Sequence, residues 1–179
     1  TFRGKGFGYL SGSRQEVETI ENSLSEAGWK TFVLVDKEAT ETRFKLLLTA
    51  FMPEIVHIST HGFYFAQPIS DEYTNTRNIY KTSGNPLMRS GLVFTGANHV
   101  WKGEEPIEDL DDGILTAYEV SNLNLSTVQL AVLSACDTGL GDIAGNEGVY
   151  GLQRAFRLAG VQSMIVSLWK AADKETVEL

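Results

Sequence analysis

The sequence predicts an α/β protein in which helices cover a mostly parallel sheet as a three-layer α/β/α sandwich. Segments with helical periodicity alternate along the chain with short apolar segments of strand length. One apolar segment, residues 54–60, has apolar side chains on both faces, as expected for a buried parallel strand. At 179 residues the chain has the length of one domain with a sizeable core.

The first elements are a helix and a strand. Apolar residues fall at helical spacing over residues 13–27, where Ser13 and Glu16 have the spacing of an N-terminal capping box. Gly28 is typical of a helix C-terminus, so this helix should end there. Residues 29–35 are then predicted to form a strand.

The next part of the chain contains a regular pair of elements and an irregular stretch. A helix is predicted over residues 40–51, and Pro53 accounts for its end. A strand is predicted to follow over residues 54–60. Residues 62–112 are rich in Asn, Ser, Thr, Gly and Pro and are predicted to be largely irregular. A short apolar run interrupts them at 92–95.

The last third returns to alternating elements. Helices are predicted over residues 114–123 and 148–159, and strands over 128–134 and 161–169. This order completes the alternation on which the predicted parallel sheet depends.

Composition narrows the function classes. The net charge is −8 and the 15 basic residues do not cluster, which argues against a nucleic-acid-binding surface. No apolar stretch approaches the roughly 20 residues that span a bilayer. The single cysteine rules out a disulfide within the chain, so the sequence shows no sign of an oxidising compartment.

Two predicted strands lead into residues that could act as a catalytic pair, His61 and Cys136. Open parallel sheets carry their catalytic groups at the carboxyl ends of the strands. A free thiol has a pKa of about 8.5, so Cys136 would need a base such as His61 to form thiolate near neutral pH. His61 could then protonate the leaving group, and the N–H groups of Gly62 and Cys136 could bind an oxyanion.

Other interpretations of these residues stay open at this level. A free cysteine is often buried as a small hydrophobe. His57 and His61 lie four strand positions apart, about 13 Å, which is too far to share one metal ion. His57 is therefore interpreted as a hydrogen-bonded core histidine.

The loops near the candidate pair allow further alternatives. Asp71, Asp137 and Asp142 would favour a basic side chain in a substrate, or they are solvated loop carboxylates. Trp169 could wall a pocket or pack in the core. The glycine-rich loop 139–145 suggests a dinucleotide site only weakly, because the loop and its flanks hold acidic residues and no Lys or Arg.

Six motifs follow one another along the chain: VHISTHG (56–62), NPLMRSGLVFTGAN (85–98), DDGILTAYEV (111–120), VLSACDTGLG (132–141), GVYGLQRAFRLAG (148–160) and VQSMIVSLW (161–169). In this order they resemble one branch of the caspase-like cysteine peptidases, the CHAT domain; the wider group includes separase, gingipain and legumain. The motifs extend over nearly the whole chain. The resemblance implies a single caspase-like α/β/α domain over residues 1–179, shortened at its C-terminus and lacking N-terminal regions.

The resemblance also implies an activity, hydrolysis of peptide bonds by a cysteine–histidine dyad. Cys136 would be the nucleophile and His61 the general acid and base, with the Gly62 and Cys136 amides as the oxyanion hole. The strand ending at Trp169 would flank the substrate peptide, with Asp137, Ser167 and Trp169 as substrate-binding residues. No cofactor or metal is implied.

The partners implied are a protein or peptide substrate and a tetratricopeptide-repeat region or another regulator, without nucleic acid or membrane. A bacterial, cytoplasmic setting is expected. The alternative is a catalytically silent interaction module that keeps the fold and uses the cleft as a docking surface.

Overall fold

Helices and strands alternate in the computed structural model, which describes residues 6–65, 79–107, 110–135 and 146–166. The helices are α1 (Ser11–Glu26), α2 (Glu41–Phe51), α3 (Ile79–Thr82), α4 (Ala97–Trp101), α5 (Ala117–Ser121) and α6 (Asn146–Leu158). The strands are β1 (Ile55–Thr60), β2 (Gly62–Tyr64), β3 (Ser90–Val93), β4 (Ile114–Thr116), β5 (Leu130–Ala135) and β6 (Ser163–Val166).

The main sheet is parallel and has the order β1–β5–β6. Ile55 pairs with Leu130 and Thr60 pairs with Ala135, so β1 and β5 end level with each other. On the other side of β5, Ser163 of β6 also pairs with Leu130. The α/β class and the parallel sheet predicted from sequence are confirmed, whereas the three-layer arrangement stays a prediction.

A second, antiparallel sheet in the order β2–β3–β4 follows β1 after a single residue. The prediction that residues 62–112 are largely irregular is wrong for this part, because β2, β3, α3 and α4 lie within it. Strands of three or four residues are too short for their alternation to stand out from the polar residues around them.

The helix predicted over residues 114–123 is also partly wrong. Its first three residues form β4, all of them buried, and the helix α5 begins only at Ala117. Thr116 ends the strand and caps α5 in a capping box with Glu119. A short apolar run fits a buried strand and a buried helix equally well, which is why periodicity alone misassigned it.

The first helix, α1, confirms the helix predicted over residues 13–27 but not its predicted capping box. The N-cap residue is Leu10, which makes no side-chain cap hydrogen bond. Ser13 and Glu16 lie within the helix, and their side chains bond to the main sheet instead. The predicted end is confirmed, because Gly28 follows the helix with a left-handed φ of 84°.

The strand predicted over residues 29–35 is wrong, because these residues belong to neither sheet. Residues 29–34 line an open, largely apolar groove of about 1390 Å³ that is also lined by β1. Among the described residues β1 pairs with β5 alone, so residues 29–35 form no ladder with it. Apolar content and β-branched residues made the segment strand-like without fixing a partner for it.

The remaining predicted elements of the main sheet and its helices are confirmed within one to three residues. Helix α2 starts after Thr40, whose side chain accepts a hydrogen bond from the Arg43 N–H at 3.2 Å. Strand β5 and helix α6 correspond to the segments predicted over 128–134 and 148–159. The predicted strand 161–169 is confirmed as β6 up to Val166, and its last residues lie outside the described part.

The two faces of the main sheet differ in character. Val56 and Ile58 of β1 and Ala131 and Leu133 of β5 belong to the main apolar core, together with buried residues of α2, α5 and α6. Because successive strand residues point to opposite faces, the residues between them project from the other side. That side carries polar groups that bond to α1.

Candidate active site

His61 lies at the junction of the two sheets, as the single residue between β1 and β2. Its carbonyl accepts a hydrogen bond from the Val93 N–H at 2.9 Å. The preceding Thr60 donates its hydroxyl to the Val93 carbonyl at 2.5 Å. The backbone of His61 is thus held by the end of β3 as well as by β1, which fixes where its side chain begins.

The imidazole of His61 is oriented by the segment that leads into α1. Its Nε2 lies 2.7 Å from the Gly8 carbonyl oxygen, and its ring packs against Phe7 with centroids 5.5 Å apart. A carbonyl oxygen can only accept, so Nε2 must carry the proton of this hydrogen bond. In the neutral ring Nδ1 is then the unprotonated nitrogen, which can accept a proton.

Aromatic side chains next to His61 support this arrangement. The Phe7 ring packs on Trp101 at 4.7 Å, and Trp101 in turn contacts Phe63 at 5.3 Å. Both Phe63 and Trp101 belong to a buried apolar cluster built on the second sheet. The contact with Trp101 therefore holds the Phe7 ring in place, and Phe7 in turn limits the tilt of the His61 ring. Sequence reasoning did not identify this group, because its members come from distant segments.

Gly62 is suited to offer its N–H away from the second sheet. In the β2–β3 ladder the hydrogen bonds run from Val93 N to His61 O and from Phe65 N to Arg89 O. Hydrogen-bonded and non-hydrogen-bonded pairs alternate in an antiparallel ladder, so the pair between Gly62 and Leu92 is a non-hydrogen-bonded one. The Gly62 N–H is consequently directed away from β3.

The nucleophile predicted from sequence, Cys136, lies outside the described residues, as do Asp137, Ser167 and Trp169. The structure describes β5 as far as Ala135, which is buried and pairs with Thr60. The roles of these four residues therefore stay predictions.

A buried carboxylate on the α1 side of the main sheet was missed by sequence reasoning. Glu16 is 8% exposed; its Oε1 lies 2.9 Å from His57 Nε2, and its Oε2 accepts hydrogen bonds from Ser59 at 2.7 Å and Ser134 at 3.2 Å. The interpretation of His57 as a hydrogen-bonded histidine is confirmed, but His57 is half-buried on the polar side of the sheet and does not belong to the apolar core. The available signal was the pair of polar residues at 57 and 59, which lie two positions apart and so on one face of the strand.

The electrostatics of Glu16 follow from these partners. Burial raises the pKa of the Glu16 carboxyl, but the hydrogen bonds from His57 and Ser59 outweigh burial and hold the pKa below its ordinary value of 4.5. Glu16 is therefore a carboxylate at neutral pH, and acts as a fixed acceptor between two strands.

Within the described residues, no group of three or more His, Cys, Asp or Glu side chains is arranged to hold a metal ion. His57 and His61 each have a protein partner instead. None of the helices in the described part combines the length and apolar character that a bilayer crossing demands.

Comparison with known proteins identifies the family. The family model of the CHAT domain matches residues 1–179, the whole of the sequence. No curated protein and no solved structure matches the chain significantly.

Proposed function

The chain belongs to the CHAT domain family, a caspase-like family, and from that premise we propose that it is a cysteine endopeptidase acting through His61 and Cys136. The observation that carries the proposal is the pairing of Thr60 with Ala135, the residues that immediately precede this pair. If the ladder continues by one residue, His61 and Cys136 become neighbours on strands about 4.8 Å apart.

The proposed fold is the complete caspase-like three-layer α/β/α sandwich. Two contacts of the described residues support it. Helix α1 bonds to one face of β1 and β5 through Glu16, while buried residues of α6 share an apolar core with the residues that project from the other face.

In the proposed mechanism His61 activates the thiol. Because the Gly8 carbonyl holds the proton on Nε2, Nδ1 accepts the proton of the Cys136 thiol. The thiolate attacks the carbonyl carbon of the scissile bond, a C–S bond forms, and the carbonyl oxygen becomes an oxyanion. The N–H groups of Gly62 and Cys136 bind that oxyanion.

The second half of the proposed reaction releases both products. His61 returns its proton to the leaving amine as the C–N bond breaks, which leaves an acyl group on Cys136. His61 then takes a proton from water, and the resulting nucleophile hydrolyses the thioester. The carboxylic acid leaves, and the thiol is restored.

The proposed substrate is a peptide segment of a partner protein. An extended segment would pair with the strand that ends at Trp169, flanked by Ser167 and Trp169. Asp137, next to the nucleophile, would favour a basic residue immediately before the cleaved bond.

The wider setting is also a proposal. The family premise suggests a bacterial, cytoplasmic protein in which a regulator or a tetratricopeptide-repeat region controls access to the site. The single cysteine in the sequence is compatible with such a reducing compartment.

The test is hydrolysis of a fluorogenic peptide library that varies the residue before the cleaved bond, with the full chain and the variants Cys136→Ala and His61→Ala. We expect turnover of basic peptides by the unmodified chain and a loss of at least about 10³-fold in both variants. Equal turnover of basic and acidic peptides would remove the role of Asp137. Turnover that survives in Cys136→Ala would overturn the proposed nucleophile.

A further inference from the structure

Five polar side chains join α1 to the main sheet, and we call them the Glu16 network. Its members are Ser13, Glu16, His57, Ser59 and Ser134. Glu16 is the hub, because its two carboxylate oxygens accept hydrogen bonds from three of the other members. Ser13 completes the network by donating to the Ser59 carbonyl at 2.8 Å, with its hydroxyl 2.7 Å from the Ser59 hydroxyl.

The network meets the two central strands at matched positions. Ser59 and Ser134 are direct partners in the β1–β5 ladder, and both bond to the same oxygen of Glu16. Ser59 lies two residues before His61, and Ser134 lies two residues before Cys136. A single carboxylate therefore holds the last part of both strands that lead to the proposed dyad.

The segment that leads into this helix orients the imidazole of His61. Three contacts follow one another along α1 and its leading segment: Gly8 with His61, Ser13 with Ser59, and Glu16 with His57. Residue numbers rise on the α1 side as they fall on β1, so the helix runs antiparallel to the strand. Glu16 and Ser13 thus hold α1, which begins three residues after Gly8, against β1. Phe7 on the other side of Gly8 is held by two hydrogen bonds with Asn98.

From this geometry we propose that Glu16 is a positioning residue for the dyad, an inference that rests on the proposed function. Its carboxylate keeps the ends of β1 and β5 level and holds α1, the helix that follows Gly8, against β1. Without it, His61 and Cys136 would lose their relative placement although both side chains remain. Misplacement of reacting groups by about 1 Å can lower a rate by about 100-fold.

The test uses the rate at which iodoacetamide alkylates Cys136, measured against pH in the full chain. Cys136 is the only cysteine of the sequence, so the readout is specific to one site. In Glu16→Gln we expect the thiol to approach its ordinary pKa of about 8.5 and the rate at pH 6.5 to fall about tenfold or more. Ser59→Ala and Ser134→Ala should show the same change to a smaller degree.

The matched control is Glu41→Gln, which removes another buried helix carboxylate, one that contacts Lys45 and Gly113 instead of β1 or β5. The melting temperature of each variant is measured as well, so that a change in alkylation can be compared with any change in stability. An alkylation profile in Glu16→Gln that equals that of the unmodified chain would overturn the positioning role. So would an equal shift in Glu41→Gln, because the effect would then be one of stability alone.

Two further outcomes are distinguishable. If Glu16→Gln does not fold, the two serine variants carry the test, and unchanged profiles in both would overturn the proposal. If the unmodified chain already alkylates with a pKa near 8.5 and His61→Ala does not change it, the dyad of the proposed function fails and the positioning role fails with it. If His61→Ala changes the alkylation profile of Cys136 but Glu16→Gln does not, the dyad stands and only the positioning role of Glu16 is refuted.

Discussion

Glu16 on α1 and Glu41 on α2 are both buried helix carboxylates, 8% and 1% exposed, yet they are stabilised in different ways. Glu16 takes its hydrogen bonds from a histidine and two hydroxyls on the main sheet. Glu41 pairs with the ammonium of Lys45 at 2.6 Å and accepts the Gly113 N–H at 3.1 Å. A buried charge can thus be held by a hydrogen-bonded network or by an ion pair, and the two respond differently to pH.

The ion cluster around Glu41 contains more negative than positive groups. Lys45 lies within 3.3 Å of Asp111 and 3.2 Å of Glu119 as well as Glu41. Burial lowers the pKa of the Lys45 ammonium, but the hydrogen bonds and charges of Glu41 and Glu119 together outweigh burial, so the pKa is raised. Burial, with the nearby charges of Glu119 and Asp112, raises the pKa of Glu41 to about 7, although Lys45 acts in the opposite direction.

The largest expected effect comes from removing the cation of this cluster. Lys45→Met leaves the Glu41 carboxylate buried without its partner, so we expect a loss of about 3 kcal/mol in the free energy of unfolding at pH 8. The loss should be smaller at pH 5, where protonated Glu41 needs no cation. Urea unfolding at the two pH values measures both quantities.

The control for this variant is Arg14→Met. Arg14 forms exposed ion pairs with Glu18 and Asp36, and such pairs contribute little to stability. We expect no measurable change. Equal losses in both variants, or a loss in Lys45→Met that does not depend on pH, would contradict the account of the Glu41 cluster.

The next effect is a pair of pH dependences with opposite signs. Glu41 has a raised pKa, so its stabilising contribution is present below pH 4.5 and is lost as the pH rises through about 7. Relative to Glu41→Gln, the unmodified chain should lose about 2–3 kcal/mol over this window, allowing for solvent screening. Glu16 has a lowered pKa, so its contribution is present above 4.5 and is lost as the pH falls further.

These dependences are read from urea midpoints between pH 3 and 8 for the unmodified chain, Glu16→Gln and Glu41→Gln. Glutamine does not titrate, so in each variant the urea midpoint should lose only the pH dependence that the replaced carboxyl contributes. A Glu16→Gln curve parallel to that of the unmodified chain below pH 4.5 would show that the network does not favour the ionised carboxylate.

The sequence predicted the central strands and the histidine at the end of β1 because these rest on local signals. A run of strand length with Ile55, Val56 and Ile58, bounded by Pro53 and Gly62, sufficed for β1, and the run ending at Ala135 sufficed for β5. The motifs that contain them also identified the family. What these runs share is apolar residues at strand length and one buried face, which are signals that the local sequence carries.

Features that depend on tertiary partners were not predictable. Ser13 and Glu16 have the same spacing as Thr116 and Glu119, but only the second pair forms a capping box. The first pair lies against the polar side of β1, where hydrogen bonds to Ser59 compete with capping. Spacing along a helix cannot distinguish a local acceptor from one that lies on a distant strand.

The most direct test of the central claim is covalent labelling by an electrophilic peptide with a basic residue next to the reactive group, located by mass spectrometry. We predict that the full chain is labelled at Cys136 and that His61→Ala is labelled at least about 100-fold more slowly. Glu41→Gln should label like the unmodified chain. Labelling at equal rates in the presence and absence of the His61 imidazole would contradict a His61–Cys136 dyad.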